Sequence, residues 1–348
     1  MNGILTVARL EFRLRIRAGR WRWLVGAWFA VLLGVTWLVR NAARQENLVG
    51  DLEEDNTLGA VMFGVVVLVV LALALLVAPA LAAQSVNGDR ERGTLATLQV
   101  TRLRPVEIAV GKLLASWGTA LVFLAVTLPL ALWCYLEGGL SVARIAGVYL
   151  VTALLLGVVC SLSLALSALL ARSTTSGVLA YLTVFLLAAG TAILFGLVTA
   201  TTQETVRMST SCPPDSLGCQ TYEYETTVAR PDRTWWLLAP NPFVVLADSA
   251  PAGPTRTYTG PDGQVREEAI DVDILGSLSR TLHQIRATPE RVTTEYGTDF
   301  RVPDGVTGGP VWPVGLGIDL ALAGLGLWIT TVRLRTPTTR LARGQRIA

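Results

Sequence analysis

The chain has 348 residues, of which 52% are hydrophobic and 16% charged, with a mean hydropathy of +0.51. That balance excludes an ordinary soluble enzyme and makes a polytopic membrane protein the expected class. The formal net charge is only +3, and the arginines cluster at the ends of apolar runs rather than on one soluble basic face, which argues against nucleic-acid binding.

A helix needs about 20 mostly apolar residues to cross a bilayer. Six such stretches are predicted, at residues 23–39, 59–83, 113–136, 145–171, 177–199 and 311–332. An even number puts both termini on one side. The segments on that side carry net charges of +5 (1–22), +2 (84–112), +1 (Arg172) and +5 (333–348). Those on the other carry −3 (40–58), 0 (137–144) and −6 (200–310). Short loops rich in Lys and Arg stay in the cytoplasm, so cytoplasmic termini are predicted. The expected fold is an α-helical polytopic bundle with a small α+β extracytoplasmic insert at 200–310 between helices five and six, and a basic cytoplasmic tail at 333–348.

Residues 1–22 form an arginine-rich lead. It has the look of a secretory signal, but it is long and five further spans follow the first. On a helix, Leu5, Ala8, Phe12 and Ile16 share one face and Arg9, Arg13 and Arg17 the next, so an interfacial elbow helix is expected, either as a plain basic flank or as a contact for another protein. Trp21, Trp23 and Trp328 fall near the inner boundary and Trp37, Trp133 and Trp312 near the outer one, as anchors at the two interfaces. Pro79 in span two and Pro129 in span three are expected to kink or end their helices.

Between spans two and three lies 88–112, GDRERGTLATLQVTRLRPVEIAVGK, in which Arg90, Arg92, Arg102, Arg104 and Lys112 outnumber Asp89, Glu91 and Glu107. Its chemistry predicts two short helices meeting at a bend, Thr94 capping a helix over Leu95–Val100, and Pro105 with Glu107 opening the next. Leu95, Leu98 and Leu103 make an apolar ridge on a charged background, which suits a protein partner.

Spans four and five are joined by Arg172-Ser-Thr-Thr-Ser-Gly177, short enough to force an antiparallel hairpin, and Gly157, Ser161, Ser163, Ser167 and Ala168 suit close helix packing. In the insert, Thr221–Val228 alternates as a strand, Leu237–Ala247 is an apolar interfacial segment, and Val272–Ile285 carries Leu275, Leu278 and Leu282 at helical spacing. Cys212 and Cys219 flank Pro-Pro-Asp-Ser-Leu-Gly on the oxidising side, where a disulfide is expected to contribute roughly 2–3 kcal/mol. Cys134 and Cys160, inside spans, read as buried small hydrophobes.

Asp319 is the one ionisable residue well inside a predicted span. Facing lipid it costs about 2.5–3.5 kcal/mol, so it is expected to face protein or water or to be protonated, either as a substrate or gating contact, or as a structural pair or a residue placed shallow by tilt. Gly315, Gly317, Gly324 and Gly326 around it suggest close approach of another helix. Gly111-Lys112 is followed by Leu113 without a glycine-rich cradle, so the chain has no phosphate loop of its own. The single histidine, His283, leaves no multi-histidine metal site, and no G-x-S-x-G elbow occurs.

Glu91-Arg92-Gly93-Thr94-Leu95, then Leu98, Arg104-Pro105, Glu107-Ile108 and Gly111-Lys112 resemble the E-R-x-x-G-T-L-E-x-L and E-I-x-x-G-K motifs of the ABC type-2 transporter permeases. Two features depart from that pattern. Ala96 stands where the family has an acidic residue, and the proline comes later. Pro240-Asn241-Pro242-Phe243 and the closing Arg333-Leu334-Arg335 are similar to further family features. The resemblance implies a subunit of an exporter in a bacterial inner membrane. Two permease copies, identical or paralogous, would work with two separate ATPase subunits, which hold ATP and Mg. It implies ATPase coupling through Glu91, Arg92, Gly93, Thr94, Leu95, Leu98, Arg104, Pro105 and Glu107. It also implies a path between the permeases lined by spans two and five, with Met62, Phe63, Val66, Leu182, Phe185, Leu186 and Asp319 as candidate wall residues for a hydrophobic or amphipathic cargo. Two rival readings remain at this point: a sensing or scaffold subunit whose outer domain binds a ligand or envelope protein, and a membrane-embedded transferase.

Overall fold

The computed structural model describes residues 2–17, 20–45, 58–93, 103–210, 222–251, 255–259, 265–269, 273–294, 297–303 and 307–335. The helices before the sheet are α1 (Asn2–Arg17), α2 (Arg20–Gln45), α3 (Leu58–Ala82), α4 (Asn87–Glu91), α5 (Pro105–Ala125), α6 (Leu128–Leu136), α7 (Val142–Leu169), α8 (Ser173–Phe185) and α9 (Thr191–Thr201). After them come β1 (Gln203–Thr210), β2 (Tyr222–Ala229), α10 (Pro242–Ser249), β3 (Thr255–Thr259), β4 (Val265–Ala269), α11 (Ile274–Arg286), β5 (Glu290–Thr294), β6 (Gly297–Arg301) and α12 (Trp312–Leu334). Among the described residues, six stretches are long and apolar enough to cross a membrane: Arg22–Arg44, Leu58–Glu91, Pro105–Leu136, Val142–Leu169, Ser173–Thr201 and Trp312–Leu334.

Span two is the hub. Its apolar residues cover every side of the helix, and such a helix is stable only when surrounded. Of its most apolar stretch 61% is buried, against 11% for span five, which lies at the periphery. Pro79 does not stop α3, which runs on to Ala82, and the chain then turns through 83–86 into α4. Span three breaks between Ala125 and Leu128, just before Pro129. There the Thr127 hydroxyl donates to the Leu124 carbonyl (2.7 Å) and shares a 2.8 Å hydrogen bond with the Tyr149 hydroxyl, so side chains satisfy groups that the break exposes. In span five a π-helical turn, Leu186–Gly190, separates α8 from α9. Cys134 and Cys160 are buried free thiols.

Beyond α9 the chain forms a four-stranded antiparallel sheet of order β2-β1-β6-β5 and a separate hairpin of β3 and β4. β1 pairs with β2 from Gln203↔Ala229 to Thr210↔Tyr222, so the alternating segment expected near 221–228 is a strand one residue displaced. Residues 211–221, which hold Cys212 and Cys219, lie outside the described residues, and so does the expected disulfide.

Buried polar contacts fasten this region to the bundle. Arg144, 1% exposed at the start of α7, donates from Nη2 to both carboxylate oxygens of Asp273 (2.8 and 2.6 Å), the N-cap residue of α11. Asp248 at the end of α10 accepts from the Val311 and Trp312 amides (2.6 and 2.8 Å), which satisfies donors at the start of α12. Its other oxygen accepts from the Ser279 hydroxyl (3.0 Å) and lies 2.8 Å from His283 Nε2. The His283 approach does not satisfy hydrogen-bond geometry, so it is a charge contact when the imidazole is protonated.

Candidate functional site

At the end of the bundle that carries residues 83–112, three pieces meet: α1, the start of α5, and the turn that follows α3. Gly111 makes the contact of α1 with α5 possible. A Cβ there would lie 2.7 Å from Val7 Cβ and 3.1 Å from the Ile4 carbonyl oxygen, so only hydrogen fits. Val7 is correspondingly 2% exposed. The helix therefore docks chiefly through Val7, with Ile4, Glu11 and Arg15 half-buried beside it; of the stripe expected from periodicity, Leu5 is exposed while Ala8 and Phe12 are half-buried. Leu5, Leu10 and Leu14 remain exposed.

Glu11 has a reason to be there. The Lys112 ammonium is fully buried and uses three donors, on Glu11 Oε1 (2.5 Å), on the Ser85 carbonyl (3.0 Å) and on Asp89 Oδ2. Asp89 also accepts from Arg92 (3.0 Å). The cluster joins α1, the turn after α3 and α5 through one cation.

A second clamp ties the same turn to the junction of spans four and five. Ser167 Oγ accepts from the Val86 and Asn87 amides (3.1 and 3.2 Å), and Asn87 Nδ2 donates to the Arg172 carbonyl (3.3 Å) and to Ser176 Oγ (3.2 Å). Ser176 donates to the Ala83 carbonyl (2.7 Å). Glu91 accepts from the Ser173 amide and hydroxyl (3.0 and 3.1 Å), an acidic cap on the first turn of α8. Arg90 donates to the Ala168 carbonyl (3.2 Å) at the end of α7, where the helix dipole favours a cation. α4 is thus bolted to the start of span five, the span with the least protein around it.

At the other end, Leu238–Ser249 enters the bundle between spans. Asn241 accepts from the Phe243 and Val244 amides (2.9 and 3.4 Å) as the N-cap of α10, with Pro242 in its first turn. Its Nδ2 donates to the Ala188 carbonyl (2.7 Å), inside the π-turn of span five, and to Thr191 Oγ1 (2.9 Å). π-turns leave helix carbonyls without their usual partner. Asn241 supplies one. Gly315 admits this segment, since a Cβ there would fall 2.0 Å from the Ala239 carbonyl oxygen. Gly326 likewise faces the Ser161 carbonyl, which a Cβ would approach to 3.1 Å, whereas Gly317 and Gly324 have open space. Beneath the segment is a narrow cleft lined by Leu75, Leu155, Val184, Leu187 and Pro242, with Asp319 as its charged group.

A family model described as ABC-2 family transporter protein matches residues 5–231. The chain belongs to the ABC-2 transporter family. No curated protein matches the sequence. The matched range takes in the first five spans, both clamps and the start of the sheet, and ends before α10 and α12. The protein is thus a multi-pass membrane protein and a permease subunit of an ABC transporter, a type that works with ATPase partners.

In this ABC-2 permease, the motif residues fall into separate groups. Glu91 and Arg92 are engaged inside the chain, on Ser173 and Asp89, and Gly93 takes φ +72°, a left-handed turn that glycine adopts freely. Arg104 and Glu107 form the capping box that opens α5, the Glu107 carboxylate accepting from the Arg104 amide (2.8 Å), with Pro105 in the first turn. Thr94, Leu95 and Leu98 lie outside the described residues.

The six candidate apolar wall residues do not share a surface. Met62, Phe63 and Val66 are buried in the core at 0%, 1% and 3% exposure, because span two is surrounded. Leu182, Phe185 and Leu186 are 45–55% exposed on span five. Sequence reasoning does not single out Asn87 and Ser176, and it places Lys112 and Ser167 only in the motif and in helix packing, without their partners. The available signal was a lysine at the start of an apolar span, which burial permits only with carboxylates close by.

Proposed function

We propose that this permease is the membrane subunit of an ABC exporter in a bacterial inner membrane, with residues 83–112 and both termini in the cytoplasm. Two copies, or this chain and a paralogue, pair with two ATPase subunits that bind ATP and Mg. The substrate path runs along the exposed apolar face of span five that carries Leu182, Phe185 and Leu186, and the cargo is hydrophobic or amphipathic. Charge segregation along the chain supports the orientation, since the segments on the 83–112 side are arginine-rich and those on the sheet side are acidic.

One observation carries the mechanism. The turn after α3, which leads directly into the family's coupling motif, is hydrogen-bonded through Ala83, Asn87 and Glu91 to Arg172, Ser173 and Ser176 at the first turn of span five, and through Ser167 to the end of span four. A push on that turn by a closing ATPase moves span five with it, because α4 is hydrogen-bonded to the first turn of α8 and span five is the least buried of the six described spans. Coupling then requires the clamp, whereas ATPase binding does not.

The test uses the permease with the ATPase that co-purifies in mild detergent. Spin labels at position 186 of the two copies are expected to change separation on addition of ATP and vanadate. The Asn87→Ala/Ser176→Ala variant is expected to keep its ATPase and its ATP hydrolysis while that change is lost. An unaltered distance change in the variant overturns the clamp as the transmission element. Absence of any ATPase overturns the exporter reading itself.

A further inference from the structure

Asp319 is 2% exposed, and its Oδ1 is buried without a partner; among the described residues it makes no hydrogen bond and no ion pair. The cleft it faces is walled by side chains of spans two, four and five and by Pro240 and Pro242, all of them apolar. No arginine, lysine or histidine lines it. A carboxyl so placed is buried with no counter-charge beside it, and an ionisable group inside a span is by default a candidate functional site.

We propose that the Asp319 cleft binds the ammonium group of an amphipathic amine, and that this is the cargo class of the transporter. The chemistry of the walls selects the ligand. Calcium and magnesium take six or more oxygen ligands and zinc three or four N, O or S side chains, and one carboxylate among aliphatic walls supplies neither set. An organic cation needs one opposite charge and apolar surface for its substituents, which is what the cleft offers.

Size sets how much of the ligand enters. As it stands the cleft has room for little more than one water-sized group. An ammonium headgroup therefore reaches Asp319 only as the walls part, and the rest of the amine stays outside. Two wall residues, Val184 and Leu187, belong to span five on either side of the start of its π-turn, and Asn241 holds that turn from above. Movement of span five widens the cleft, so entry and release of the amine follow the movement that the inner clamp drives. This assignment rests on the permease reading for its cargo role, whereas the site itself requires no ATPase.

The experiment places the full-length permease in phosphatidylcholine nanodiscs without ATP and measures binding of a dansyl-labelled hexylammonium against the dansyl-labelled hexanol of equal length, with empty discs subtracted. Wild type is expected to bind the ammonium saturably and at least tenfold more tightly than the alcohol, the ratio expected of one charge-assisted contact. Asp319→Asn is expected to lose that preference, and Asp319→Glu to keep it. Val184→Trp, which fills the cleft and leaves Asp319 in place, is expected to abolish binding and stands as the second variant if Asp319→Asn fails to fold. Equal binding of amine and alcohol by wild type, or an unchanged preference in Asp319→Asn or Val184→Trp, overturns the site. The spin-label measurement at position 186 decides the exporter reading separately.

Discussion

Replacing Lys112 with Met removes the ammonium and keeps most of the stem volume. Three hydrogen bonds vanish, and two carboxylates, Asp89 and Glu11, are left facing one another at the junction of α1 and α5. Breaking a buried ion pair by removing one partner costs about 3–5 kcal/mol. Here Asp89 retains Arg92 at 3.0 Å, and the Glu11 and Asp89 side chains are 18% and 12% exposed, so water and a second cation relieve part of the penalty. A loss of about 3 kcal/mol, the low end of that range, is expected. Neutralising the carboxylates as well, in Glu11→Gln/Asp89→Asn/Lys112→Met, removes the uncompensated charge and is expected to bring the loss down to about 1 kcal/mol, the scale of one ordinary hydrogen bond. Denaturant unfolding in micelles reads the stability. Polarisation of a dye at position 10, on the exposed side of α1, reads whether that helix stays docked. A single variant within about 1 kcal/mol of wild type, or a triple variant no better than the single, refutes the view that one cation holds this junction together.

Two further outcomes follow from the sheet end. Arg144→Met leaves Asp273 buried without its cation and is expected to cost about 3–5 kcal/mol, most of it recovered in Arg144→Met/Asp273→Leu. Hydrogen exchange over 274–286 reads this, and equal loss of protection in single and double variants sinks the idea. At the end of β2, Arg230 donates to both Asp232 oxygens (2.9 and 2.8 Å), and these hydrogen bonds hold the Asp232 carboxyl below the usual carboxylate range. A group whose folded-state pKa is depressed stabilises the fold above its unfolded value, near pH 4, and loses that contribution as the pH falls through the folded value. The emission of neighbouring Trp235 and Trp236 is therefore expected to hold steady down to about pH 4 and change below it. Asp232→Asn is expected to be less stable at neutral pH and to lack this acid step, and an identical acid profile in the variant rules the assignment out.

Much of this protein was legible along the chain. Span positions follow from length and hydropathy, and the hairpin at 172–177 follows from a loop too short for any other course. Two of the four glycines marked in the last span do admit a neighbour's backbone. The family could be recognised from the motif between Glu91 and Lys112, and the small mixed insert from its loss of hydropathy. Motif membership did not reveal what each side chain does. Glu91 reads as an outward-facing contact until Ser173, 82 positions away, is seen to take both its oxygens. Asn241 reads as a helix cap, and the π-turn carbonyl it also serves has no signature in the sequence.

What only the tertiary structure decided is direction: which side of each span faces protein. In water, a helix shows its buried side by the contrast between apolar and polar residues. Lipid tails are as apolar as a protein core, so Met62 and Phe63 in the centre of the bundle and Phe185 and Leu186 on its rim look alike in one dimension. The exceptions are the residues that lipid does not tolerate. Lys112, Arg144 and Asp319 had to face inward, and each marks a place where the packing serves a charge.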